Sequence, residues 1–247
     1  MRNNQTLIDG LAKWNITINE KQQEQFEQYY DLLVEWNSFM NLTGITDYEE
    51  VLVKHFLDSL ALFHEHPYKE KLSLMDMGSG AGFPGLPLKI VYPDLNVTLM
   101  DSLNKRIKFL NEVISKLGLE NIVAIHARAE ELARKPEYRE QYDLVVSRAV
   151  ARTASLAEFC LPYVKIGGYF IPYKSGTIEE ELKEAEYSFN VLGGKFEEVK
   201  TFEVPNSDMH RTLLVIKKVK NTPKAYPRAG GKPLKMPLIK QIKNSLI

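Results

Sequence analysis

Four glycines fall within eight residues in Gly78-Ser79-Gly80-Ala81-Gly82-Phe83-Pro84-Gly85, between the lead-in Leu74-Met75-Asp76-Met77 and the run Leu86-Pro87-Leu88-Lys89-Ile90. The lead-in is apolar apart from its acid, and the following run reads as a helix start. The order is therefore strand, tight loop, helix. Glycine tolerates positive φ and carries no Cβ, so a ligand can approach bare backbone N–H groups at a helix N-terminus. This stretch is the expected seat of a nucleotide-type cofactor, and the rest of the chain has to say which one.

A chain of 247 residues with 44% apolar and 26% charged content has enough material for one large α/β domain with a substantial core. We expect a single domain: a helical cap over 1–70, a cofactor-binding core over 71–220 and a basic tail over 221–247. A lone cysteine, Cys160, excludes a disulfide framework and a cysteine-cluster metal site, and no metal is expected. The polar start from Met1 to Gly10 has no apolar signal core, and no run approaches the ~18 apolar residues of a membrane span. A cytoplasmic protein without a membrane partner is expected.

The neutral total hides an asymmetry. From Met209 onward there is no Asp or Glu, whereas ten lysines and arginines run from Arg211 to Lys243, so the preceding residues carry −10. Local charge of this kind suits a polyanion such as nucleic acid, although a basic tail also serves solubility.

Along the chain, the first seventy residues read as helical. Asn19 can cap a segment through Asn41 whose Phe26, Tyr29, Tyr30, Leu33, Val34 and Trp36 recur at three- and four-residue spacing. A second helix follows Asp47 and ends before Pro67; on it His55 and Asp58 are three apart and can face one neighbour. Seven strands are predicted at 72–77, 96–101, 122–125, 142–146, 168–173, 195–204 and 212–219, with helices at 103–117, 153–161 and 178–192. Strands separated by helices imply parallel pairing in a doubly wound sheet with ligands at the strands' carboxyl ends. The last two strands, joined by Pro205-Asn206-Ser207-Asp208, suggest an antiparallel hairpin. The stretch 221–238, with four prolines and two glycines among its lysines, is expected to be irregular.

Gly80-Ala81-Gly82-Phe83-Pro84-Gly85 satisfies G-x-G-x-x-G, and Asp101 lies near the distance at which an acid binds a ribose diol. An NAD-dependent enzyme therefore stays open at this point. Asp76 before the first glycine argues the other way, since a carboxylate there repels a pyrophosphate and attracts the α-ammonium of S-adenosylmethionine. At the end of the fourth predicted strand stands Ser147-Arg148. The Asn/Asp-Pro-Pro signature of exocyclic-amine methylation is absent, Cys160 sits on an apolar helix rather than as an attacking thiolate, and a cysteine triad for radical chemistry is missing. Transfer to an atom with its own lone pair, a ring nitrogen or an oxygen, remains. A non-catalytic RNA-binding module of the same shape is the other alternative.

Trp36-Asn37 with Asn41-Leu42-Thr43, His55-Phe56-Leu57-Asp58-Ser59-Leu60, Gly78 to Pro87, Ser147-Arg148-Ala149-Val150, Gly167-Gly168 and Tyr226-Pro227-Arg228 together closely resemble the RsmG (GidB) family of bacterial small-subunit ribosomal RNA methyltransferases. The run Ala229-Gly230-Gly231-Lys232-Pro233 departs from the family's usual one. The resemblance implies a class I methyltransferase (Rossmann-like) fold with a mostly parallel seven-stranded sheet, S-adenosylmethionine as cofactor, and N7 of one guanine in 16S rRNA as acceptor, in free RNA or the assembling small subunit. No obligate protein partner is evident. It places Gly78 and Phe83, Ala129 and Glu130, and Arg148 at the cofactor. Asp76, Ser79, Gly80, Asp101 and Ser102 join them from the loop and second strand. Arg148 is also the one catalytic candidate, binding the cofactor carboxylate or an RNA phosphate unless it is an arginine paired to an acid. Lys224, Tyr226, Arg228, Lys232 and Lys235 are the expected RNA contacts, the arginine and lysines at phosphate and Tyr226 stacking on a base.

Overall fold

The computed structural model describes residues 3–66, 71–148, 151–176 and 178–240. Pro67, Ala149-Val150 and the end of the tail with Lys243 lie outside them. A seven-stranded sheet in the order β3-β2-β1-β4-β5-β7-β6 runs through the molecule. Its strands are β1 (Ser73–Met77), β2 (Asn96–Asp101), β3 (Ile122–His126), β4 (Tyr142–Ser147), β5 (Val164–Lys174), β6 (Gly194–Glu203) and β7 (His210–Lys218). The first five pair in parallel, while β7 inserts antiparallel between β5 and β6. Strand order reverses between β1 and β4, which opens a crevice at their carboxyl ends.

Successive strand residues point to opposite faces, and both faces are covered. Leu74, Leu144 and Val146 belong to a core shared with Phe26, Phe56 and Leu86, whereas Met75 and Val145 belong to one shared with Tyr163 and Phe189. That double burial explains why the central strands read as unbroken apolar runs. In the cap, α1 (Gln5–Lys13) precedes α2 (Glu20–Met40), which starts at Asn19 with a reciprocal capping box to Gln22. The second expected helix is in fact three segments: α3 (Tyr48–Val51), a π-helical turn at Leu52–Leu57, and α4 (Asp58–Glu65). The wider turn had no sequence signature. On the sheet lie α5 (Gly85–Val91), α6 (Asn104–Lys116), α7 (Ala129–Leu132), α8 (Thr153–Cys160) and α9 (Glu179–Leu192).

Two expectations need correction. β5 starts four residues earlier than expected, with a pairing irregularity between Tyr142 and Leu144 beside Gly168. A Cβ on Gly168 would stand 2.6 Å from the Asp143 carbonyl oxygen, so this glycine admits a neighbouring backbone rather than starting the strand. The tail is not wholly irregular either. It forms a single-turn helix, α10 (Lys232–Lys235), and packs against α8.

Gly85 is where α5 meets the sheet: an added Cβ would lie 2.3 Å from Leu99 Cδ2 and 3.0 Å from Asp76 Oδ2. Gly85→Ala should therefore destabilise the protein by about 1–3 kcal/mol in urea titrations; an unchanged midpoint would show that α5 can slide away from β2.

Candidate cofactor and acceptor site

The loop after β1 is made by division of labour among its glycines. Gly78, Gly80 and Gly82 have φ of 71°, 61° and 98°. The N–H groups of Gly78 and Ser79 donate to the Met100 carbonyl at 2.8 and 3.0 Å, which fastens the turn to β2. The N–H of Gly85, first in α5, donates to Asp76 Oδ2 at 2.9 Å. The helix N-terminus is thus taken by the chain's own carboxylate, and Asp76 is fully buried behind the loop. This corrects the expectation of an open helix end and of Asp76 exposed to an ammonium group. Its Oδ1 is a buried side-chain oxygen without a hydrogen-bond partner. Burial pushes the Asp76 carboxyl up to about 7, against the pull of the Gly85 N–H and Arg148.

In front of the loop lies a cleft of about 700 Å³ at the carboxyl ends of β1 to β4. Five expected residues, Gly78, Asp101, Ser102, Ala129 and Glu130, come together in its lining. Asp101 is busier than expected: Oδ2 accepts from Gly80 N–H (3.0 Å) and Arg106 (3.2 Å), and Oδ1 from Leu103 N–H (2.9 Å). A carboxylate has about four acceptor sites. One further donor, rather than both hydroxyls of a ribose, fits. Ser79 and Gly80 do not line the cleft; the Ser79 hydroxyl donates to the Asp76 carbonyl at 2.9 Å. Sequence reasoning missed Leu103, Phe159 and the tail residues Gly231 and Leu234, which also line it. No sequence signal marks them, because the exposure of Leu103 and Leu234 appears only in the fold.

Phe83 and Arg148 are not in the lining of this cleft. The Phe83 ring stacks on His55 of the cap, with ring centroids 4.4 Å apart and an interplanar angle of 20°. The Arg148 guanidinium lies 5.4 Å from the Phe83 ring centre. Arg148 pairs with Asp58 Oδ2 at 3.3 Å and donates to Ser59 Oγ at 3.0 Å, while Arg211 holds Asp58 Oδ1 at 3.0 Å. His55 and Asp58, three apart in sequence, thus meet the same arginine. Burial, and then Arg148, depress His55 to about 3, so it is neutral and unsuited to proton shuttling near pH 7. Arg148 lines a second cleft of about 680 Å³ with Arg152, Lys174 and Arg211 and with the acids Asp58, Glu180, Glu181 and Glu184. The two clefts share Ala151.

The basic tail also needs revision. Arg228 forms a multiple hydrogen-bonded pair with the fully buried Glu158, at 2.7 to 3.1 Å, and Tyr226 is packed on the second core, so neither is an open RNA contact. Lys218 is buried against Glu140 at 3.2 Å, and Arg211 and Lys217 have acidic partners. Lys224, Lys232 and Lys235 are exposed. Among the described residues no His/Cys/Asp/Glu group could hold a metal ion, and no helix is long and apolar enough to cross a membrane.

A mostly parallel seven-stranded sheet with β7 inserted antiparallel, and a cleft at the β1/β4 reversal, defines an S-adenosylmethionine-dependent class I methyltransferase. TrmN from Thermus thermophilus shares this fold with a TM-score of 0.51 at 17% identity, over 68% of this chain and 53% of that one. An S-adenosylmethionine-dependent methyltransferase from Aquifex aeolicus matches at 0.51 and 19%, over 70% and 94%. The family model GidB, rRNA small subunit methyltransferase G, matches residues 22–212. The chain is 69% identical over 241 residues to the Ribosomal RNA small subunit methyltransferase G of Lachnoclostridium phytofermentans, covering 98% of this chain and all of the relative. It is 49% identical to that of Clostridium novyi, over 94% and 96%. It belongs to the GidB family of methyltransferases.

Between pH 4 and 7 the folded state holds a proton on Asp76 that the unfolded chain has lost, so stability falls as pH rises through that window, by about 1.4 kcal/mol per unit. Asp76→Asn keeps an acceptor for Gly85 and removes the charge. Urea unfolding at pH 5 and 8 should show the wild type losing stability relative to the variant; parallel curves would refute a neutral Asp76.

Proposed function

We propose that this protein transfers the methyl group of S-adenosylmethionine to N7 of a guanine in 16S ribosomal RNA, in the free RNA or the assembling small subunit. The observation that carries the reading is the meeting of two clefts at Ala151, one lined by Gly78, Asp101 and Glu130, the other by four bases, Arg148, Arg152, Lys174 and Arg211, interleaved with four acids, Asp58, Glu180, Glu181 and Glu184. The names of the relatives support an rRNA substrate, and such a substrate fits a cytoplasmic protein. The chain acts as one unit of cap, core and tail. The first cleft fits the cofactor. Its Gly78 turn lets backbone approach the ligand, and Asp101, Ser102 and Glu130 offer polar atoms to a nucleoside.

The bound cofactor supplies an electrophilic methyl on a sulfonium. The residues supply position and charge. Guanine N7 carries a lone pair and no proton, so no general base is needed, and the residues agree. The Cys160 thiol is buried and pushed well up by burial, His55 is neutral, and Asp58 is held by two arginines. Arg148 and Arg211 share that one carboxylate, so the cluster keeps a single net positive charge, suited to a backbone phosphate beside the target base. Of the two ligands expected for Arg148, the cofactor carboxylate and an RNA phosphate, its pairing with Asp58 outside the first cleft favours the phosphate. Lys224, Lys232 and Lys235 contact RNA phosphates at the rim.

The NAD reading is disfavoured because Asp76 occupies the helix N-terminus where a pyrophosphate would bind. Incubation with purified small-subunit RNA and labelled cofactor, followed by mass mapping, should find one methyl on one guanine; unmodified RNA and subunits alike would sink the proposal. Arg148→Ala should lower methylation about tenfold or more while cofactor affinity stays within about twofold, since misplacing an acceptor costs rate rather than cofactor binding. Lys232→Ala with Lys235→Ala should raise the RNA KM and flatten its log–log salt dependence by about 1.5, the loss of two phosphate contacts.

A further inference from the structure

The segment after β7 is rich in lysine and suits a polyanion, yet two of its residues, Gly231 and Leu234, line the first cleft together with Gly78, Asp101 and Glu130. We propose that this segment is part of the cofactor site, with Leu234 forming an apolar wall against which the adenine ring of S-adenosylmethionine packs. The inference rests on the reading that the cofactor occupies that cleft.

Three observations carry it. The first is exposure: Leu234 is 58% and Leu103 42% exposed, and both line this one cleft from separate parts of the chain. Large apolar side chains left in water along a polar-flanked cleft lose that exposure when a flat heterocycle enters, and burial of such a side chain is favourable. The second is construction. The wall is anchored, because Arg228 pairs with the fully buried Glu158, the Ser155 hydroxyl donates to the Pro233 carbonyl at 2.7 Å, and Arg228 also donates to the Met236 carbonyl at 2.6 Å. Both Ser155 and Glu158 are on α8, whose Leu156 and Phe159 line the same cleft. One helix therefore sets the distance between the cleft floor and the wall. The third is the turn that presents Leu234. Gly231 has φ 67°, and a Cβ there would meet nothing within 4 Å, so the glycine serves the backbone path rather than a close contact.

Calorimetric titration of the full chain with S-adenosylmethionine, and with adenosine as a second probe, tests the wall. Leu234→Ala should weaken both about tenfold, the loss of part of a leucine's contact, and Leu234→Met should restore most of it. Because Leu234 is exposed, the melting temperature should not move. Ser102→Trp, at an exposed position on the same cleft, should block binding. If Ser102→Trp blocks and Leu234→Ala binds like the wild type, the wall is wrong and the cleft reading stands. If Leu234→Ala weakens S-adenosylmethionine but not adenosine, the assignment to adenine is overturned. If Ser102→Trp binds normally, the cofactor lies elsewhere, and the cleft reading fails along with the wall.

Discussion

The hydrogen bond from Gly85 N–H to Asp76 Oδ2 decides what the glycine loop is. A helix N-terminus presents N–H groups that need acceptors, and here the preceding strand supplies a carboxyl oxygen from inside the protein. The anion-binding end of α5 is therefore closed, and the loop's outer edge at Gly78, not its helix, faces the cleft. The closure has an electrostatic cost, since Asp76 is fully buried with one oxygen unpartnered and its carboxyl raised to about 7. Gly85 makes the arrangement possible by bringing α5 against Leu99 at a distance no Cβ permits. Tyr29 of the cap adds a further tie, donating to the Ala81 carbonyl at 2.5 Å.

That tie is one of several by which the cap shapes the acceptor side. Asp58 takes Arg148 from the end of β4 and Arg211 from the start of β7, and Tyr173 of β5 donates to the Ser59 carbonyl at 2.7 Å. Three strands and α4 are thereby held around one buried carboxylate. Buried ion pairs add little net stability over apolar packing, but losing one partner leaves a charge stranded. The cluster thus fixes where Arg148 points more than it strengthens the fold.

Much of this architecture was legible because single residues enforce local rules. Asn19 capped α2, and alternation of strand and helix gave the parallel order. The glycine loop and Asp101 located the cleft. What stayed hidden depends on partners far apart in sequence. Asp76 and Phe83 were read by motif as facing a ligand, and each meets a protein partner that periodicity cannot reveal; an acid partner for Arg148 was among the expectations, but its identity as Asp58 was not. The basic run after Met209 was the clearest case. Charge counted along the chain carries no record of the acids opposite, so Arg211, Lys217, Lys218 and Arg228 looked free while Asp58, Glu197, Glu140 and Glu158 awaited them.

The Arg228–Glu158 pair joins residues 70 positions apart, across β5, α9, β6 and β7. The last wall of the cleft is therefore supplied by chain that follows all seven strands, and Lys218 and Thr222, which lead into it, are bonded to each other beside the sheet. A chain stalled or clipped before Arg228 could own every strand of the sheet and still leave the cleft open on that side.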